Sequence, residues 1–448
     1  MSCDILNIEW ASKGRDVDIV EPILSYLELK HKLNVVRENI SNAELKLLKI
    51  RPKALIISNA VGAKENFNLI KLASKLGIKI ITLISEGDYF EKPLSVEESF
   101  WGWNKDRIFY EDLHLEWTSR NVGLIHKYIP DSTAFNIKVS GGTGFDRFNM
   151  LSFMEKNEFL NKYNKKEYDK VIGIAGYAFD LYFGKLYEEK AAYIEKYNTP
   201  EEIKIEKESK DALRQIYGDL ISKNPDILFI LKYHPAAGEM EHTEFYGLDV
   251  YKNTVSIKKE ENISDVISAS DIWIAYSSTT CLEAWFLNKQ TLFLHPIMTL
   301  KTRSKIYTGN PVLRTAEETQ NAINEFYKNG ELPGFKDLES ARKQIVKDIV
   351  EWDDGKNHIR AAQYIYETMN KDNKKSACID LFVLVRILRA LSLRLIYRSG
   401  LRVYKRLGNV AKYFDYLNSI FNNTERENEH KKYFNSLVEF YKTNNISL

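Results

Sequence analysis

Residues 53–88 read KALIISNAVGAKENFNLIKLASKLGIKIITLISEGD. Lys53–Ser58 is a short apolar run, Glu65–Leu76 has an amphipathic helical pattern, and Ile78–Ser85 (IKIITLIS) is apolar and β-branched. Strand, helix and strand in this order, with both strands almost continuously apolar, predict a βαβ unit in a parallel sheet covered on both faces.

The same alternation extends in both directions. Upstream, Asp4–Trp10 reads as a strand, Val17–Lys32 as a helix, Leu33–Arg37 as a strand and Ala43–Lys49 as a helix. Downstream, a less regular, aromatic-rich stretch (Phe100–Trp117) precedes a helix near Arg120–Tyr128. A strand, Phe135–Ser140, and the turn Gly141-Gly142-Thr143-Gly144 follow. Residues 151–168 are Lys-, Asn- and Glu-rich and read as a linker. The pattern then restarts, with strands at Asp169–Ala175, Ile227–Tyr233, Val255–Lys258, Asp271–Tyr276 and Gln290–Leu294. Helices are expected at Pro200–Ser222, Ile263–Ser268, Thr280–Leu287, Glu317–Lys328 and Leu338–Ile349. The expected organisation is α/β, with an acceptor-side Rossmann-like domain at 1–150 and a nucleotide-side one at 169–370, facing a cleft. A helical tail at 374–448 completes it.

A chain of 448 residues suits two or three domains. Its net charge of +2 gives no pull toward nucleic acid, yet the charge is uneven. Between Lys374 and Lys412 there are ten Lys/Arg against Asp380 alone; this +9 leaves −7 on the rest. Cys3, Cys281 and Cys378 show no metal-ligand spacing and suit a reducing compartment. The N-terminus has no basic start with an apolar core, and no run of about 18 apolar residues occurs. These features lead us to expect a cytoplasmic chain.

In parallel sheets ligands sit beyond the carboxyl ends of the strands, which selects four loops. Ser85-Glu86-Gly87-Asp88 follows a strand; a partly desolvated Glu86 there can act as general base toward a hydroxyl. Lys232-Tyr233-His234-Pro235 follows another; Pro235 keeps His234 out of helix, where its imidazole can donate to a phosphate oxygen, with the charge of Lys232 nearby. Tyr276-Ser277-Ser278-Thr279-Thr280 joins a strand to a helix. One hydroxyl suffices as a cap, whereas four beside free amides form an anion site. Glu283, a turn further on, can accept from ribose hydroxyls. Lys13-Gly14-Arg15-Asp16, after the first strand, is placed to touch an acceptor through Lys13, Gly14 and Arg15. The ordinary alternatives are a turn, a cap, or a solvated surface loop.

Together, SEGD at 85–88, KYHP at 232–235 and YSST at 276–279 resemble the acidic-Gly, His-Pro and Ser-Ser/Thr motifs of bacterial sialyltransferases, polysialyltransferases and capsular Kdo transferases. KVSGGTGFDRF (138–148) is similar to the close of the N-terminal domain in surface carbohydrate biosynthesis proteins. The resemblance implies a two-Rossmann GT-B enzyme that builds a capsule, O-antigen or lipooligosaccharide from a CMP-sugar. Glu86 would be the base, while His234, Pro235, Ser277, Ser278 and Thr279 would hold the nucleotide. Ser85 stands where those proteins have a second acid, which leaves Asp88 as a substitute for Glu86. With no Asp-x-Asp motif at a strand end, the expected transfer is metal-independent and inverting, without a cofactor. Teichoic-acid polymerases using CDP-glycerol share the His-Pro and Ser-Ser features. A polyol-phosphate transferase, a sugar-nucleotide epimerase and a non-catalytic subunit of a polysaccharide-assembly complex are the rival readings.

In the tail, Arg394, Arg398, Arg402, Lys405 and Arg406 recur at helical spacing beside Leu, Ile, Val and Phe, with Arg386 and Arg389 outside that sector. Such a helix can lie in the bilayer interface, so residues 374–412 are expected to hold the protein on the inner face of the cytoplasmic membrane. There it would meet a glycan or lipid-linked acceptor. Cutting near Asn373 is expected to leave a soluble protein with its donor site intact, although 409–448 reads as two further helices packing back on the body.

Overall fold

The computed structural model describes residues 3–297, 305–371, 377–398 and 405–446, and two compact units emerge. The first unit comprises residues 1–151 and 347–448, the second 152–346.

In the first unit six parallel strands run in the order β2-β1-β3-β4-β5-β6. They are β1 (Ile5–Glu9), β2 (Val35–Asn39), β3 (Ala54–Ser58), β4 (Lys79–Leu83), β5 (Leu113–Glu116) and β6 (Ile137–Val139). β3 and β4 belong to the stretch that decided the fold, and they pair in register from Ala54↔Lys79 to Ser58↔Leu83. β1 and β3 are buried along their whole length, as a sheet covered on both faces requires. One face packs on the helix Arg15–His31 through Ile19, Val20, Ile23 and Leu27; the other packs on Ala43–Ile50 and Lys64–Lys75 through Leu47, Leu69 and Leu72.

β5 lies inside the aromatic-rich stretch expected to be irregular. Its sequence LHLE alternates, which disguises a buried strand. His114 and Glu116 are both buried because they satisfy one another: His114 Nε2 lies 3.0 Å from Glu116 Oε1, and His114 Nδ1 2.7 Å from Thr82 Oγ1.

The second unit repeats the design with β7 (Lys170–Ala175), β8 (Ile227–Lys232), β9 (Thr254–Ile257), β10 (Ile272–Ala275), β11 (Gln290–Leu294) and β12 (Val312–Leu313). Their order is β9-β8-β7-β10-β11-β12, all parallel. β12 and the helix Gly184–Tyr197 were not anticipated. The helix Pro200–Lys223 begins with Thr199 and Glu202 in a reciprocal capping box and Pro200 in its first turn.

Three boundaries differ from expectation. Residues 151–168 are more than a linker: the helix Lys156–Lys162 buries Phe159 and Leu160 in the second unit. The second unit ends within the helix Glu339–Val350, so residues 347–370 return to the first unit. There the helix Asn357–Asn370 docks on the glycine turn. Asp146 Oδ2 accepts from the His358 backbone N–H at 2.7 Å, and Asn357 lies so close that a Cβ on Gly141 would meet it at 2.0 Å.

The tail is likewise part of the first unit. The helix Asn423–Thr443 buries Tyr433, Leu437 and Tyr441 against Arg15–His31 and Asn357–Asn370, and Tyr433 donates to Asp18 Oδ1 at 2.6 Å. The helices Leu381–Arg398 and Lys405–Ile420 place Val383 and Leu417 in the core beside Leu47 and Leu72. Lys374, Lys375 and Arg402 lie outside the described residues, as do the side chains of Lys405 and Arg406.

Candidate functional site

In the second sheet β7 is the first strand, with β8 on one side and β10 on the other, so the connection order reverses between β7 and β10. At such a reversal neighbouring strand-end loops diverge and leave a crevice. The Ser277-Ser278-Thr279 loop leaves β10 at that point, and the His234-Pro235 loop leaves β8 one strand away. Gly176, directly after β7, lets the loops approach: a Cβ there would lie 2.9 Å from the Lys232 carbonyl oxygen and 3.0 Å from the His234 nitrogen.

Several side chains are held in definite orientations. His234 Nδ1 accepts from the Ala236 backbone N–H at 3.2 Å, so the ring proton of the neutral imidazole sits on Nε2. Ser278 Oγ accepts from the Thr280 N–H at 3.2 Å and from Thr280 Oγ1 at 2.9 Å, just before the short helix Thr280–Phe286. Ser277 is half-buried and Thr279 exposed. Glu283 Oε2 accepts from Ser264 Oγ at 3.4 Å.

Lys232 points elsewhere than expected. Its ammonium donates to the Lys258 carbonyl oxygen at 2.6 Å, tying β8 to the end of β9, and burial lowers its pKa. Beside it a cavity of about 290 Å³ opens, lined by His234, Pro235, Met240, Lys258, Lys259 and Glu260 among others. That volume is near the lower end for small-molecule sites.

In the first unit the loop after β1 and the loop after β4 come together. Arg15 Nη1 donates to Glu86 Oε1 at 2.6 Å, and Ser85 Oγ donates to Asp16 Oδ1 at 2.9 Å. Gly87 is required at this point, since a Cβ would lie 2.0 Å from the Trp117 ring. The expected desolvation of Glu86 is not met: its side chain is 78% exposed, because its pairing with Arg15 keeps it at the surface. Asp16, at the start of the first helix, is half-buried. Burial raises its pKa, while the Ser85 hydrogen bond and Arg15 pull it back. Asp88 is half-buried. Gly14 precedes the helix at φ 103°, a backbone that favours glycine. Lys13 is turned onto the C-terminal helix, 2.9 Å from Glu425.

Two groups of the second unit escaped sequence reading. The loop after β7 contributes Tyr177, Phe179 and Asp180, with the Tyr177 and Phe179 rings 5.3 and 5.1 Å from that of Tyr276. The glycine directly after a strand was the available signal. Glu244 lies in irregular chain that periodicity does not mark. It accepts from the Tyr177 N–H at 2.7 Å, and burial pushes its carboxyl up to about 8.

No protein-family model and no curated protein sequence matches the chain. Solved structures do resemble it in fold. One is MnaA of S. aureus with UDP (TM-score 0.54, 13% identity, 84% of this chain and 100% of that one). Another is a Listeria monocytogenes protein assigned as a UDP-N-acetylglucosamine 2-epimerase (0.53, 10%, 85% and 100%). A third is a variant of the wall teichoic acid polymerase TagF (0.51, 10%, 82% and 89%). The class these define is the GT-B-like fold of two Rossmann-like units. At such identities the likeness describes architecture alone.

Proposed function

We propose that the protein is a glycosyltransferase that takes a sugar from a nucleotide-activated donor and adds it to a surface glycan. The observation carrying this reading is that the His234 and Ser277–Thr279 loops leave β8 and β10, the two strands that flank β7 at the reversal of strand order. Hydroxyls and an imidazole N–H there can hold a diphosphate or monophosphate, and the cavity beside His234 can take the nucleoside. The donor we favour is a CMP-sugar, on the His-Pro and Ser-Ser-Thr motifs. A UDP-sugar is the rival, since MnaA, which shares the fold, is solved with UDP.

In this reading the acceptor hydroxyl loses its proton to a carboxylate as its oxygen bonds to the anomeric carbon. The bond from that carbon to the phosphate oxygen breaks, and the negative charge passes to the nucleotide. Asp16 is the carboxylate we favour to take the proton, because burial raises its basicity while Ser85 orients it.

The test is a thermal-shift series with CMP, CDP, UDP and GDP. A site at 100-fold saturation contributes about 2.7 kcal/mol. Cytidine nucleotides are expected to give the largest shift, reduced in His234→Ala and Ser277→Ala. A larger UDP shift would move the donor to uridine, and no shift with any nucleotide would sink the reading.

A further inference from the structure

The helix Leu381–Arg398 is fastened to the first unit by one face only. Val383 and Ala390 are buried, Arg386 is drawn onto Glu44, and Asp380 joins the preceding turn to Lys75 at 2.9 Å. The opposite face carries Leu381, Leu384, Val385, Leu388, Leu391 and Leu395, every one substantially exposed. At 100° per residue these six fall within roughly a 120° sector. Exposed Arg389 and Arg398 flank the stripe. The neighbouring helix Lys405–Ile420, joined to it by the stacked rings of Tyr397 and Phe414 at 5.2 Å, adds exposed Tyr413 and Tyr416. A contiguous apolar face with a basic rim on a fixed helix marks a contact surface rather than chance exposure.

We propose that this face seats on an anionic lipid surface, with its leucines among the acyl chains near the headgroups and its arginines on lipid phosphates. Charge selects this occupant. From Leu381 to Phe414 the sequence has eight Lys/Arg and no acid, and of these Arg389 and Arg398 stand exposed beside the stripe, where anionic headgroups complement them. A second copy of the chain would bring the same basic rim rather than an acidic one, and so complements it less well. Tyrosines at the rim suit the wet side of an interface. Among the described residues no helix is long and apolar enough to cross a membrane, so the contact lies in the plane of the surface. This inference does not depend on the nucleotide chemistry.

The experiment is co-sedimentation of the full chain with phosphatidylcholine vesicles, with and without phosphatidylglycerol. The chain should bind the anionic vesicles, bind the neutral ones weakly, and be only partly released by high salt, which screens the arginines but leaves the leucines seated. The double variant Leu388→Glu/Leu395→Glu, at exposed positions, should bind roughly tenfold or more weakly at an unchanged melting temperature. If that variant melts early, Arg398→Glu replaces it and should weaken binding at low salt. Equal sedimentation of wild type and variants overturns the proposal. So does failure of the wild type to prefer anionic vesicles, or a dimer in sedimentation velocity that the leucine variant dissolves.

Discussion

Replacing Arg426 with Met should detach the C-terminal helix from the first unit. Arg426 is a basic residue in the first turn of the helix Asn423–Thr443, the wrong end for a cation on dipole grounds alone. Its partners explain it. Nε donates to Glu9 Oε2 at 2.5 Å, Nη2 donates to Glu9 Oε1 at 2.7 Å, and Nη2 also meets Glu21. Glu21 in turn accepts from Arg37 Nη2 at 2.8 Å and lies 2.8 Å from His430 Nδ1. Arg426, Glu9 and Glu21 are almost wholly buried. Burial alone would raise Glu21, but Arg37 and Arg426 hold its carboxyl well below the usual range; for Glu9 burial wins and the pKa is raised.

Three charge-assisted hydrogen bonds, each about 1.5–3 kcal/mol, are lost in Arg426→Met. Methionine recovers some of this by packing, while Glu9 remains as a buried charge. Removing one partner of a buried pair costs about 3–5 kcal/mol, and this is the expected drop. Peptide-resolved hydrogen exchange of the helix Asn423–Thr443 measures it, because local opening is read there separately from the second unit. The pH dependence follows in sign. A carboxyl with a raised folded pKa contributes stability that is present below its unfolded value and lost as pH rises through the folded one. Without Arg426 the raise on Glu9 grows, so the cost should be larger at pH 8 than at pH 5. Glu9→Gln in the Arg426→Met background should restore part of the loss, by about 1–3 kcal/mol of coupling. A cost under about 1 kcal/mol, additive with Glu9→Gln, would refute this account of what holds the helix.

Ending the chain near Asn373 removes Arg426, Tyr433, Leu437 and Tyr441 from the first core, so the product should be insoluble or molten on circular dichroism and dye binding; a cooperative melt at the wild-type temperature would contradict this. Gly87→Ala forces a Cβ into the Trp117 ring and should cost about 1–3 kcal/mol in urea unfolding, with no effect counting against the close approach. Glu244, protonated in the folded state up to about pH 8, should make stability decline between its unfolded value and pH 8 by on the order of a few kcal/mol, and Glu244→Gln should flatten that decline; unchanged slopes would reject the assignment. Removing the Ser85 hydrogen bond favours protonated Asp16, so the acid limb of turnover in Ser85→Ala should move to higher pH; loss of turnover in Glu86→Gln with turnover kept in Asp16→Asn would return the base to Glu86.

The two parallel sheets were legible because their strands are local apolar runs whose chemistry needs no distant partner: IKIITLIS at 78–85 and DKVIGIA at 169–175 announce themselves. Strand ends follow from strands, so the loops at 85–88, 232–235 and 276–279 could be selected before any coordinates. β5 could not, because His114 and Glu116 look solvent-facing until they are seen to satisfy one another. Nor could the destination of residues 347–370; and although 409–448 reads as helices packing back on the body, only the carboxylates of Glu9 and Glu21, more than 400 residues away, make Arg426 core. The same holds for Asp16 and Glu86: the Glu86 side chain stays exposed, while burial raises the pKa of Asp16. Which carboxylate loses its water is decided by what packs over it, and local sequence carries no record of that.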